Sequence, residues 1–301
     1  MTKDFEKFRR FLPATLNYVS TASVTVGNVA PVATSATLVG NYNTNSEIVL
    51  TEGTTTPIAV TGTITDANGC VDLNHVTVAV YRNGTTCTSA GNADNTNCYF
   101  ETISHATIIA DSANCSGGTD TTYTLSGGNP TVSTFNLQYY AIPGSTSTAW
   151  KVTITPYDGS GGGDVGTANS SSGIALDSTT ALEVTSSITY GSVANGANST
   201  GDHKATVTNT GNIAIDYNLS GADLTCTILG SIPKGDEQYA TSSFSYGDGT
   251  ALSGTPTLVA ANIAAQTTGT PVTADSYWQT TVPNGVNGTC SGDVTFAAVA
   301  H

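Results

Sequence analysis

The chain has 301 residues, only 10% of them charged, a formal net charge of −14 and a pI near 4.2. An acid excess of that size repels nucleic-acid phosphates and anionic headgroups, which excludes DNA or RNA as a partner. The length allows two domains, each with its own core, and a 38% hydrophobic content set among Thr, Ser, Gly and Asn describes a folded β-rich chain, not a disordered one.

Residues 3–12, KDFEKFRRFL, place Phe5, Phe8, Phe11 and Leu12 at helical spacing until Pro13 stops the pattern. Four of the eight cations (Lys3, Lys7, Arg9, Arg10) lie here, and Arg82, Lys151, Lys204 and Lys234 serve everything else. No apolar leader run follows the basic start, and no stretch elsewhere is apolar enough to cross a bilayer as a helix. From residue 16 the period changes to two. Leu16, Tyr18, Ser20, Ala22, Val24 and Val26 share one face against Asn17, Val19, Thr21, Ser23 and Thr25 on the other. Residues 1–28 therefore read as an extension: a short amphipathic helix, then a donor-type strand whose assembly face is Leu16, Tyr18, Ala22, Val24 and Val26.

Residues 29–166 read as the first β-sandwich. Strands are expected at 47–50 (EIVL), at 57–64 with Ile58, Val60 and Ile64 inward, and at 76–81 with Val76, Val78 and Val80 inward. Two more follow, at 133–142 with Phe135, Leu137 and Tyr139 on one face, and at 149–158 with Trp150, Val152 and Ile154 inward. DANG and YRNG supply reversals. The tract TANSSSG, 167–173, reads as a linker. Residues 174–301 repeat the style with ALEVTSSITYGSV, HKATVTN, AIDYNLSG, SYWQTTVP and DVTFAAVA, and NTGN is expected to turn the first half of TVTNTGNIAIDYNLSG back on the second. The fold class is all-β: two tandem antiparallel sandwiches of immunoglobulin-like or jelly-roll-like type.

Six cysteines divide four and two between the units, with no CxxC pair to suggest zinc. Three pairings are open among the first four; Cys87–Cys98 with Cys70–Cys115 is favoured, and Cys226–Cys290 follows for the second unit. Sequons begin at Asn83, Asn114, Asn169, Asn198, Asn218 and Asn287 and fit a glycosylated, oxidised extracellular protein.

Catalytic chemistry does not assemble. Asp66, Asn68 and Asp72 in DANGCVD offer oxygens at calcium-loop spacing, without the bidentate Glu of a full loop, and an Asx turn explains them equally. Asp158 and Asp164 form a weaker pair. GGGDVG at 161–166 matches a phosphate fingerprint but precedes a linker instead of a helix. His75, His105, His203 and His301 are available to a triad, but no GxSxG elbow appears. Trp150 and Trp278 share the parity of inward residues and belong to cores, while Tyr140 and Tyr277, of opposite parity, are the candidates for contacting a surface glycan.

The phrase TVTNTGN followed by an alternating strand, and the run IAVTGTITDANGCVDLNHVTVAVYRNG, resemble secreted Ig-like β-sandwich surface proteins of uncultivated bacteria and archaea and, remotely, the camelysin/TasA group of filament-forming matrix proteins. The resemblance implies extracellular display and polymerisation, and brings no catalytic residue with it. The expectation is a non-enzymatic structural subunit of a cell-surface filament, pilus or surface layer, needing no cofactor beyond calcium and partnered by copies of itself through its leading strand. The alternatives are a monomeric adhesin or glycan-binding module and a virion structural protein.

Overall fold

The computed structural model describes residues 22–115, 120–125, 134–159, 165–185 and 187–301. The fold is all-β, built from several antiparallel sheets. The expected helix at 3–12, with Leu16 and Tyr18 of the donor strand, lies outside the described residues.

The first unit carries β1 (Val32–Val39), β2 (Thr56–Thr65), β3 (Leu73–Arg82), β4 (Cys98–Ser104), β5 (Thr122–Leu125), β6 (Thr134–Leu137), β7 (Trp150–Asp158) and β8 (Asn169–Ser170). One sheet orders β1-β2-β5 with β6 also on β2, and the other orders β4-β3-β7-β8. Alternation in the sequence becomes burial directly: Ile58, Val60 and Ile64 from β2 meet Val76, Val78 and Val80 from β3 and Trp150, Val152 and Ile154 from β7, all fully buried in one core. Gly62 is required where β1, β2 and β7 crowd. A Cβ there would lie 2.3 Å from Ile154 Cδ1 and 2.7 Å from the Ser35 carbonyl. A short helix, α1 (His105–Ala110), follows β4, its first turn capped by Ser104, which accepts from the Thr107 amide.

The second unit carries β9 (Leu182–Val184), β10 (His203–Asn209), β11 (Ile215–Gly221), β12 (Leu224–Cys226), β13 (Ser231–Ile232), β14 (Glu237–Ala240), β15 (Thr250–Ala251), β16 (Thr257–Ile263), β17 (Thr273–Thr280), β18 (Cys290–Ser291) and β19 (Val294–Ala300). A five-stranded sheet, β15-β14-β17-β10-β9, packs against β16-β11-β19 around Trp278, Tyr217, Leu219 and Val207, and β13-β12-β18 forms a small sheet beside them.

Several expectations are corrected. The described part of the leading strand, 22–26, is unpaired, and strand pairing begins only at Val32, where β1 meets β2. Residues 47–50 make isolated bridges, Tyr42 to Ile48 and Ile48 to Leu176, not a strand. β6 ends at Leu137 because Tyr139 and Tyr140 enter a turn closed by the Ala141 amide on the Gln138 carbonyl, 2.9 Å. In the long run 181–193, only Leu182–Val184 is strand.

The tract 167–173 is no free linker: Thr167 bridges Val32, β8 pairs β7, and Ile174 and Leu176 pack into the first core. The first unit therefore extends past 173. NTGN does not close a hairpin, since β10 pairs β9 and β17 while β11 pairs β16 and β19. The connection crosses from one sheet to the other because Asn209 is fully buried and its Nδ2 reaches the carbonyls of Ile213, Ile263 and Ala264 at 2.8, 3.1 and 3.0 Å, joining the two layers.

Three disulfides, Cys70–Cys115, Cys87–Cys98 and Cys226–Cys290, use all six sulfurs. The last joins directly opposed residues of β12 and β18.

Candidate assembly cleft

β9 is the last strand of its sheet and β19 the last of its own, and the two edges come together without pairing. Between them runs a cleft of about 720 Å³. Val184 and Ile188 line it from beside β9 and Val294 and Phe296 from β19, and Leu224 and Cys290 line it too. The inward apolar residues of β19 (Val294, Phe296, Ala298) and those around β9 (Leu182, Val184, Ile188) are only half-buried, although their counterparts in the middle strands are fully covered. β19 spends one edge on β11 over its full length, from Ile215 opposite Ala300 to Gly221 opposite Val294. Among the described residues its other edge is in no ladder, the arrangement that accepts an added strand.

Two polar residues meet in the cleft wall. Glu237, at the start of β14, is 2% exposed. Its Oε1 accepts from the Tyr190 hydroxyl at 2.9 Å, while its Oε2 has no hydrogen-bond partner. Burial raises the Glu237 pKa above that of an ordinary glutamate, partly opposed by the Tyr190 hydrogen bond. The sequence reading missed Glu237. The available signal was parity, since Glu237 shares its face with the buried Tyr239 in EQYA.

The described part of the leading segment is exposed. Val24 is 86% and Val26 78% exposed, and Ala22 is exposed as well. The root of the segment is tied down: the Val29 amide donates to Asn68 Oδ1 at 2.8 Å, and Asn28 Nδ2 donates to Asp158. Those contacts engage the turn that carries the calcium-type oxygens. Asp66 Oδ1 accepts from the Asn68 amide at 2.8 Å, and among the described residues no three carboxylate, imidazole or thiolate side chains gather as metal ligands. The Asx turn accounts for the spacing of Asp66, Asn68 and Asp72.

One feature of that turn carries a stability cost. Asp66 is 2% exposed with Oδ2 unpartnered, and burial, then the nearby Asp72 and Asp158 charges, hold its carboxyl above the usual aspartate pKa against the Asn68 amide. A raised acid pKa destabilises the fold only once pH exceeds the unfolded value, and the penalty is complete above the folded one. Asp66→Asn is therefore expected to gain about 1 kcal/mol at pH 7 by removing a buried charge that desolvation and the Asp72 and Asp158 carboxylates disfavour, and to gain nothing near pH 3. Urea titrations at both pH values in chelator check this, and equal effects at the two would refute it.

The remaining candidates are engaged elsewhere. His75 stacks on Tyr157 with centroids 4.1 Å apart, and His105 Nδ1 and His203 Nδ1 lie 2.7 and 2.8 Å from the carbonyls of Leu73 and Thr189. His301 Nδ1 pairs with Asp216 Oδ2 at 2.9 Å. Trp150 and Trp278 are core residues. Tyr140 is buried, packed edge-on against Tyr139, and offers no face to a glycan, while Tyr277 is half-buried beneath Lys204, whose Nζ lies 4.7 Å from the ring centroid. Asp164 and most of GGGDVG lie outside the described residues. Of the sequon asparagines, Asn198 and Asn287 are exposed, and Asn83, Asn114, Asn169 and Asn218 are half-exposed.

The fold and cleft define an all-β, disulfide-linked protein of two sandwiches with an open strand edge in the second. No family model and no curated protein matches the chain. Among solved structures it is similar to the CsuC–CsuE chaperone–tip adhesion subunit pre-assembly complex from archaic chaperone-usher Csu pili of Acinetobacter baumannii, at 10% identity over 88% of this chain and 99% of that one, with a TM-score of 0.30. It is also similar to the C-terminal domain of the Streptococcus agalactiae AgI/II polypeptide BspA, at 10% identity over 89% and 100%, with a TM-score of 0.22. Likenesses this distant carry no argument, and nothing in them connects the chain with camelysin or TasA.

Proposed function

We propose that this protein is an extracellular structural subunit of a cell-surface filament, pilus or layer, and that residues 16–26 of one copy enter the β9–β19 cleft of the next as an added strand along β19. The observation that carries the reading is the pairing of two incomplete surfaces: a cleft whose apolar side chains are only half-covered beside an edge in no ladder among the described residues, and a strand-patterned segment whose Val24 and Val26 stand in solvent. Eleven residues at about 3.3 Å each outspan the seven of β19. Four cations precede that strand, and the body they would approach is strongly acidic, so long-range attraction favours the encounter. A contact between unlike surfaces does not close on itself and propagates as a filament or lattice. Use of all six cysteines in disulfides fits an oxidising compartment. The buried Tyr140 weakens the glycan-binding alternative.

Negative-stain microscopy and sedimentation velocity on the full chain are expected to show periodic assemblies that disappear when residues 1–26 are removed, while the circular dichroism of the shortened protein is unchanged. Monomers at every concentration, or assemblies indifferent to the deletion, would overturn the proposal.

A further inference from the structure

The cleft is lined by polar as well as apolar residues, but Glu237 is the one buried acid among them, and the segment proposed to fill it has one short hydroxyl on its apolar face. Glu237 lines the cleft, and its Oε2 is itself buried without a hydrogen-bond partner while its other oxygen is held by Tyr190. A buried carboxylate oxygen without a donor is among the more costly arrangements in a folded protein. It is resolved either by protonation or by a donor that arrives with the occupant of the cleft.

No cation can supply that donor from the strand itself, since the chain has no Lys or Arg between Arg10 and Arg82. The apolar face reads Leu16, Tyr18, Ser20, Ala22, Val24, Val26, so its only donors are two hydroxyls. Ser20 stands near the middle of the face, with apolar residues on either side, and its hydroxyl lies one bond from Cβ, close to the strand axis. The Tyr18 hydroxyl lies at the far end of a ring, which suits it to filling apolar space or reaching the rim.

We infer that the cleft selects its strand by register, with the Ser20 hydroxyl of the incoming copy donating to Glu237 Oε2 while Leu16, Tyr18, Ala22 and Val24 occupy the apolar positions around it. This rests on the strand-addition reading above and adds a specificity-determining pair to it. Sliding the strand by two residues keeps its apolar face inward but leaves the carboxylate against Tyr18 or Ala22. The buried acid thus rejects the neighbouring registers that shape alone would admit.

The test is a double-mutant cycle by calorimetry, with a synthetic peptide of residues 14–28 titrated into protein lacking residues 1–26. The described residues removed from that protein, 22–26, are exposed and unpaired, so their loss leaves both cores intact. The wild-type peptide is expected to bind, with Ser20→Ala weakening it about 10- to 30-fold, as loss of a hydrogen bond to a charged group requires. Against Glu237→Gln protein the same peptide change should cost less than about 3-fold, because no buried charge is then left unpaired. Tyr18→Phe should cost little against either protein. Binding that responds equally to Ser20→Ala on both proteins, or that couples to Tyr18 instead, overturns the register assignment and leaves strand addition standing. Absence of peptide binding overturns strand addition, and the register assignment with it.

Discussion

Replacing Cys226 and Cys290 together by serine is expected to remove roughly 4 kcal/mol from the second unit, the value that chain-entropy arguments give for opening a loop of this length. The bond spans 64 residues of sequence and ties β12 to β18 at opposed positions. A single domain is stable by only about 5–15 kcal/mol, so the loss takes a large share of what holds the unit folded. The effect should be local. Each unit has one tryptophan, Trp150 in the first core and Trp278 in the second. Urea unfolding followed by Trp278 fluorescence in a Trp150→Phe background should shift to much lower denaturant, while the reciprocal background should show the first unit unmoved. Equal shifts in both would mean that the units unfold together and that the disulfide's effect is not confined to its own sandwich. Because Cys290 lines the cleft, the serine pair should also weaken binding of the 14–28 peptide at temperatures where the protein remains folded.

The cores were legible in the sequence because alternation reports burial directly. Wherever a β-branched or aromatic residue recurred every second position for six or more residues, as in β2, β3, β7 and β11, the structure buries that parity. What could not be read was which strand pairs with which. Ile215, Tyr217 and Leu219 would be buried equally well in a hairpin with β10 or, as found, in the opposite sheet, and the choice falls to the three carbonyls that Asn209 gathers from two places in the chain. The tract TANSSSG shows the same limit. Its composition is that of a linker, yet backbone bridges to β1 and β7 need no particular side chain, so nothing in the letters distinguishes a free Ser-rich tract from one lying along a sheet edge.

The cleft was half legible. The alternating face of residues 16–26 was visible as a pattern, and the open edge of β19 was not, because an open edge is a property of topology. Residues of β19 read as an ordinary inward-facing strand, and among the described residues no neighbour lies beyond β19 to cover Val294 and Phe296. Glu237 was hidden for a different reason. Acids are depleted from interiors, so a lone Glu in a four-residue strand is read as outward unless the parity of Tyr239 is given more weight than the charge.

Trp278→Ala should separate the stability of the second unit from the shape of its cleft. Trp278 is fully buried, donates from Nε1 to Ser276 Oγ at 2.7 Å, and packs between Tyr239 and Phe296, with ring centroids 5.5 and 6.1 Å away. Removing it is expected to cost about 3–5 kcal/mol through lost burial and the cavity left behind. The consequence for the cleft follows from Phe296, which lines it on one side and leans on Trp278 on the other. With the indole gone, the phenyl ring has space to turn inward, and the wall that an incoming strand would meet is reshaped. Trp150→Ala provides the control. It removes a fully buried indole of the first core, bonded from Nε1 to the Ile142 carbonyl at 3.0 Å, and should destabilise the first unit by a similar amount. Only the Trp278 substitution should abolish binding of the 14–28 peptide when both variants are held well below their unfolding temperatures. If both lose the peptide, the strand is received by a surface that depends on the first unit as well. If neither does, the cleft between β9 and β19 is not where the strand binds.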